Sequence, residues 1–392
     1  MNKILLNTGV QNFIKNNWNT DIVSVLLQKP IFKGISQKEL AEQLESKKKC
    51  KGKLPTWFDT NTIYFPNKRN IEQTSSELTA HYKSNLITGK TLLDVTGGFG
   101  VDSYFFSKKI DSVLHCEINK ELSEIAAHNF RMLGQNNVQC IAVNGIDYLE
   151  KNEQRFDWLY IDPSRRDDTL GKVFKLKDCL PNLPLHLKLF FDRTRQILVK
   201  TSPLLDISQS LKELEFVKEI HVVAIDNDVK ELLYILEYGF EEEITIKTIN
   251  LTQDREAIFS FKLNEEQNII SEYGDPQHYL YESNSAILKS GGFKSVGKRF
   301  GLKKLHQHSH LYTSQKLVDF PGRRFEIVKV LPYSKKSIKE LSLNNANITI
   351  RNFPISVAEI RKKHKIKDGG DAYLFFTTAM DGKRIIINCK RA

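Results

Sequence analysis

Asp94-Val95-Thr96-Gly97-Gly98-Phe99-Gly100 places a carboxylate and three glycines within seven residues. The β-prone run Thr91-Leu92-Leu93 leads into it and the amphipathic segment 101–109 leaves it, which reads as a strand, a tight turn and a helix. Glycines let the backbone turn sharply, and the N–H groups of such a turn and of the helix start suit an anionic group of a nucleotide-like ligand. Glu117 closes the next apolar run, Leu114-His115-Cys116, where a carboxylate can accept both hydroxyls of a ribose. Asp147, in Val143-Asn144-Gly145-Ile146-Asp147, follows the third run. It can accept from an adenine amino group or, equally, cap a helix. Asp162 follows the fourth run and opens Asp162-Pro163-Ser164-Arg165-Arg166. A carboxylate there can hold a substrate amino or hydroxyl group or take its proton. Arg165 and Arg166 can pair a phosphate or stack on a base, or simply be solvated. Lys200, in Lys200-Thr201-Ser202-Pro203, ends the fifth run and can line the same pocket.

Alternating elements must hold these residues. The pattern predicts strands at 91–96, 112–117, 138–143, 156–162, 196–201, 218–226 and 231–237. It predicts helices at 101–109, 119–133, 146–151, 183–193 and about 206–214. The last two strands are separated by Asn227-Asp228 and its neighbours, a hairpin, so the seventh strand runs antiparallel to the sixth. Residues 1–80 read as helical, with a capping box at Thr74-Ser75-Ser76-Glu77 opening a helix that runs to about Ser84. Beyond 240, Ile244–Leu251 and Ala257–Phe261 read as paired strands, and Pro276 to Leu288 as a helix or connector. From Phe325 the order is β-α-β-α-β-β, with capping boxes at Ser337–Glu340 and Ser356–Glu359 and a hairpin turn at Asp381-Gly382.

A chain of 392 residues predicts two or three domains. No apolar run is long enough for a membrane helix, and no secretory leader is recognisable. The five cysteines are scattered without a C-x-x-C pair, so a reduced cytoplasm and no metal site are expected, with Cys116 and Cys140 as buried apolar residues. Charge is uneven. From Ser285 onward there are 23 lysines and arginines against 7 acidic residues, whereas before it there are 35 against 40. A basic C-terminal quarter points to a polyanionic partner, nucleic acid first.

A mostly parallel sheet closed by an antiparallel hairpin resembles the class I S-adenosylmethionine (SAM) methyltransferases. The whole chain is similar to bacterial members that carry a C-terminal THUMP-like domain preceded by a small ferredoxin-like segment. That likeness rests on Phe320-Pro321-Gly322-Arg323, Asn352-Phe353-Pro354 and Lys367-Asp368-Gly369-Gly370-Asp371. It implies a Rossmann-like seven-stranded sheet with an antiparallel last strand, N-terminal helices and a C-terminal α+β domain. The expected divisions are 1–80 helical, 81–240 methyltransferase, 241–320 ferredoxin-like or connector, and 321–392 THUMP-like. The implied activity is SAM-dependent methylation of RNA, on a tRNA or rRNA base. Asp94, Thr96, Gly97, Gly98, Gly100, Glu117 and Asp147 would hold SAM, with Gln73 and Ser75 from the preceding helix. Asp162, Pro163 and Ser164 would be catalytic, with Arg165, Arg166 and Lys200 toward the substrate. Two motifs depart from the family pattern. Thr96 replaces the usual first glycine, and Ser164 and Arg165 replace the proline and aromatic that often follow Asp-Pro. Those departures leave two alternatives: a binding protein on a degenerate methyltransferase fold, or a methyltransferase with a non-RNA substrate.

Overall fold

The structure, a computed structural model, describes residues 1–165, 175–252 and 256–392. It divides into two compact units. The first comprises Met1–Lys218 with Leu233–Glu241, and the second Glu219–Leu232 with Glu242–Ala392.

The first unit begins with six helices: α1 (Thr8–Asn17), α2 (Ile22–Leu27), α3 (Gln37–Lys53), α4 (Pro55–Asp59), α5 (Lys68–Gln73) and α6 (Glu77–Ser84). They bury Leu40, Leu44, Leu54 and Trp57 in a core that continues through Phe99, Tyr104 and Phe130. The helical layer is therefore built onto the glycine turn. The cap of α6 differs from the sequence expectation. Ser76, not Thr74, accepts from the Thr79 N–H at 3.3 Å, because Thr74 is already the extended residue that ends α5. Glu77 turns instead to Thr56, accepting from its N–H at 2.6 Å and its hydroxyl at 2.8 Å.

Strands and helices then alternate: β1 (Thr91–Asp94), α7 (Val101–Phe106), β2 (Ser112–Cys116), α8 (Lys120–Met132), β3 (Val138–Ile141), α9 (Gly145–Lys151) and β4 (Trp158–Ile161). A two-residue ladder follows, β5 (Ser164–Arg165) with β6 (Cys179–Leu180), then α10 (Leu183–Arg193), β7 (Gln196–Thr201), α11 (Ile207–Leu211), β8 (Val217–Ile225) and β9 (Asp228–Glu237). The pairs β1–β2, β2–β3, β1–β4 and β4–β7 are all parallel. The order in this unit is β9-β7-β4-β1-β2-β3. Buried on both faces, the central strands are nearly all apolar, as in Leu92-Leu93 and Leu159-Tyr160-Ile161. The chain goes from β1 outward to β3, then returns to β4 on the other side of β1. At that reversal the carboxyl ends of β1 and β4 open a crevice, where sheets of this kind bind ligands. Asp226 and Asn227 join β8 to β9 with φ of 48° and 65°, a two-residue turn that reverses the chain as expected.

In the second unit β10 (Thr245–Leu251) and β11 (Glu256–Lys262) pair antiparallel, as expected, and β10 also runs parallel beside β8, giving β11-β10-β8-β9. The helix α12 (Leu263–Asn268) follows. The segment read as helix or connector contains both a strand and a helix: β12 (Tyr279–Ser283) and α13 (Ser285–Ser290). Next come α14 (Phe293–Arg299), β13 (Lys303–Lys304), β14 (Leu311–Ser314), β15 (Gly322–Pro332), α15 (Lys335–Leu341), β16 (Asn347–Arg351), α16 (Val357–His364), β17 (Tyr373–Thr378) and β18 (Arg384–Arg391). These strands form a second sheet ordered β13-β14-β12-β15-β18-β17-β16. Along β17, Leu374 and Phe376 join the core beneath α15 and α16, while Phe375 joins the core with Leu280, Phe325 and Ile387. That is the period-two alternation of a strand buried on both faces. The helix α15 starts earlier than expected, because Ser334 accepts from the Ser337 N–H at 3.0 Å and Glu340 pairs with Lys329. The Ser356–Glu359 capping box forms.

Candidate active site

A cavity of about 850 Å³ opens in the first unit beyond the carboxyl ends of β1, β2 and β4. Gln73, Ser75, Thr96, Gly97, Gly98, Glu117, Asp147, Asp162 and Ser164 all line it. Asp102 and Glu150 also line it, so its wall carries five carboxylates and, among the described residues, no lysine or arginine.

The turn after β1 is fixed from several sides. Asp94 is buried beneath it, accepting from the Thr96 N–H at 3.1 Å and the Ser103 hydroxyl at 2.6 Å. Burial pushes its carboxyl up to about 7, helped by the nearby Asp102 and Asp162 and opposed by those two hydrogen bonds. Asp94 therefore shapes the turn and does not itself line the cavity. Gly97 is required by packing, since a Cβ there would sit 2.4 Å from the ring of the fully buried His115. Gly98 has φ of 59°, and a Cβ on it would meet only the Thr96 carbonyl at 3.8 Å, so its cavity side is open to a ligand. Gly100 lies behind the turn against Phe130. Thr96, where the family pattern has glycine, accepts the Asp162 N–H on its hydroxyl at 2.7 Å. One side chain thus ties the β1 turn to the β4 turn.

Glu117 accepts from the Gly98 N–H at 2.8 Å and the Asn119 N–H at 2.7 Å. Its carboxylate is held at the lip of the turn, half-buried. Asp147 lies exposed in the first turn of α9. The cap of that helix is Asn144, which accepts from the Ile146 N–H at 2.9 Å, so capping does not explain Asp147.

Asp162 presents one oxygen to Lys200, whose Nζ forms an ion pair with Oδ2. Its other oxygen, Oδ1, has no partner among the described residues, and the side chain is 32% exposed in the cavity wall. Lys200 and the buried Pro163 stand behind the wall. Ser164 opens β5 with its hydroxyl 3.5 Å from the Leu180 carbonyl. The Arg165 backbone pairs with Cys179, and Arg166 lies outside the described residues.

Sequence reading missed a buried polar cluster in the floor of the cavity. Lys83, fully buried on α6, lies 3.1 Å from Asp102 Oδ1 and donates to the Ser75 hydroxyl at 2.9 Å. Asp102 Oδ2 accepts from Ser75 at 2.8 Å and from the Tyr160 hydroxyl at 2.7 Å. Burial alone would raise the Asp102 carboxyl, but Lys83 and then Lys200 hold it below its ordinary value. An acidic residue in the first helical turn after the glycines, Asp102, is a visible signal, whereas Lys83 is hidden in an ordinary amphipathic helix. Of the cysteines, Cys116 is buried and Cys140 half-buried, and burial pushes both thiols up to about 12. No group of residues able to hold a metal occurs among the described residues. Among the described residues no helix is long and apolar enough to cross a membrane.

Known proteins match this architecture. A ferredoxin-like domain family model matches residues 279–321 and a THUMP domain-like model residues 322–391. The crystal structure of a Porphyromonas gingivalis W83 protein assigned as a methyltransferase has a TM-score of 0.91 at 33% identity, covering 100% of this chain and 99% of that one. An uncharacterized RNA methyltransferase of Mycoplasma mobile is 29% identical over 120 residues, 30% of this chain. The match spans 32% of that relative's length, about a third. With full-length similarity to the P. gingivalis protein, a reversed-order sheet with its crevice at β1 and β4, and both C-terminal domain matches, this chain belongs to the family of methyltransferases that carry a C-terminal THUMP-like domain.

Proposed function

We propose that the protein is a SAM-dependent methyltransferase acting on RNA. The observation that carries this reading is one cavity joining Gly98 and Glu117 at one end to Asp162 at the other. The wall fits SAM chemically. Its carboxylates suit the two cationic centres of SAM, and the open face of Gly98 leaves room for a ligand to approach the turn. Thr96, Gly97 and Gly98 would border the amino-acid end with Gln73 and Ser75, Glu117 would accept the ribose hydroxyls, and Asp147 the adenine amino group. When bound, SAM supplies an electrophilic methyl group on a sulfonium sulfur.

The remaining work belongs to Asp162. Thr96 fixes its backbone and Lys200 its Oδ2, so Oδ1 is aimed with little freedom left to lose. Oδ1 accepts a hydrogen bond from the acceptor group, orients its lone pair, and takes the proton that the acceptor releases. The motive for a binding-only protein weakens, because Thr96 has a bonding role in place of the glycine. The name of the M. mobile relative, the THUMP-like match and the basic C-terminal quarter support RNA as substrate. The test is transfer of labelled methyl from SAM to total RNA of a strain lacking the gene, with Asp162→Ala alongside. Label with the wild type, and at least a 100-fold loss in the variant, is expected. Label appearing in protein or DNA but not in RNA would refute the RNA assignment.

A further inference from the structure

The cavity is also lined by residues not assigned to SAM, and these have a chemistry of their own. At about 850 Å³ it lies toward the upper end of the range for a single small-ligand site. Beyond Asp162 its wall is made by Ser164 and Leu180 from the β5–β6 ladder, and by Asn182, Leu185 and His186 at the start of α10. Two large aliphatic side chains stand open there, Leu180 at 51% and Leu185 at 72% exposure. Polar groups frame them. The Asp162 Oδ1 acceptor has no partner among the described residues. The Asn182 carbonyl caps α10 through the Leu185 N–H at 3.3 Å, which leaves its NH2 without a bond to the described residues. The Ser164 hydroxyl reaches only a long 3.5 Å contact.

Resting on the function proposed above, we infer that Leu180, Leu185 and His186 form the acceptor subsite for a single unstacked nucleobase. Its edge would lie on Asp162, Ser164 and Asn182, and it would present an N–H to Asp162 Oδ1. Apolar and imidazole side chains suit the face of a base, and a mixed set of donors and acceptors suits its edge. The charge of the wall argues for the same class. Among the described residues its wall holds five carboxylates and no lysine or arginine, a set that repels a phosphate or carboxylate acceptor, whereas a neutral base tolerates it. These residues would supply the stacking surface that the family's aromatic supplies after Asp-Pro, where this chain has Ser164 and Arg165.

The test compares Leu185→Asp, His186→Ala and Leu185→Met with the wild-type full-length chain. Leu185 is exposed in the first turn of a helix, so an aspartate there does not threaten folding. Binding of S-adenosylhomocysteine, measured calorimetrically, should stay within about twofold in all three. Label transfer to total RNA of the gene-deletion strain should lose about 5- to 150-fold in kcat/KM with Leu185→Asp and His186→Ala, the range for one stacked base. Leu185→Met, which keeps a large apolar surface for the base, should lose less than Leu185→Asp. Independently of turnover, cytidine, uridine or guanosine added to the S-adenosylhomocysteine-saturated protein should give saturation-transfer NMR signals that Leu185→Asp abolishes. RNA label with unchanged kinetics and unchanged NMR signals in Leu185→Asp and His186→Ala would overturn the subsite and leave the RNA assignment standing. RNA labelled on ribose would overturn the subsite alone. No RNA label from the wild type would overturn both.

Discussion

Replacing Lys83 by methionine should destabilise the first unit by about 3 kcal/mol. The buried lysine faces Asp102 at 3.1 Å, and the Asp102 side chain is itself nearly inaccessible. Methionine fills similar space but leaves that carboxylate without its nearest cation. Removing one member of a buried pair costs roughly 3–5 kcal/mol, because the other charge is left uncompensated. The lower end applies here, since Lys200 still acts on Asp102 and the Ser75 and Tyr160 hydroxyls still donate to it. Against a typical total of about 5–15 kcal/mol the loss is large. Urea unfolding followed by tryptophan fluorescence reads this unit selectively, as Trp18, Trp57 and Trp158 all lie in it. The sign with pH is fixed by the cause. In the wild type the Asp102 carboxyl is held down, so its stabilisation is present at neutral pH and lost only as pH falls through that lowered value. Without Lys83, burial raises it, and protonation then relieves the penalty. The gap between variant and wild type should accordingly be smaller at pH 5 than at pH 8. Adding Asp102→Asn to Lys83→Met should recover at least about 1 kcal/mol. A Lys83→Met cost below about 1 kcal/mol, or a double variant no more stable than the single one, would refute the assignment of this pair as a buried support of the cavity floor.

Two further outcomes follow from the turn. Gly97→Ala puts a Cβ 2.4 Å from the buried His115 ring, so the turn must shift. Stability should drop by about 1–3 kcal/mol and SAM affinity more than about tenfold by calorimetry, with His115→Ala restoring part of both; affinity within twofold of wild type would contradict the packing argument. Asp94, raised by burial to about 7, keeps its proton in the fold where the unfolded chain has lost it. The contribution of Asp94 to stability should thus fall as pH rises from about 4 to about 7, opposite in sign to that of the buried His115. Asp94→Asn should remove that contribution, so urea midpoints measured across the same range should rise more steeply with pH than in the wild type, and an unchanged pH profile would exclude Asp94 as a source.

Local chemistry in the sequence is enough to mark the glycine turn, the carboxylates at 117, 147 and 162, the alternation of strands and helices, and a hairpin around Asn227-Asp228, whose two turn residues in the structure are Asp226 and Asn227. Each depends on neighbours in the chain: periodicity, turn residues and acidic residues at strand ends. Helix caps were less secure where several candidates lay side by side. Ser76 and Ser334 took the roles expected of Thr74 and Ser337, because the preceding element decides which hydroxyl is positioned to cap. The second partner of β10 was invisible, since pairing with β8 depends on a strand that lies twenty or more residues away. The long-range partners in the site were likewise decided only by the fold. Thr96 meets Asp162 across 66 residues, Lys200 meets Asp162 across 38, and Lys83 meets Asp102 across the glycine turn. A sequence reveals which side chains can ionise or donate. Which of them share a low-dielectric space, and so are forced to pair, is set by the packing of α6, α7, β4 and β7 around one crevice.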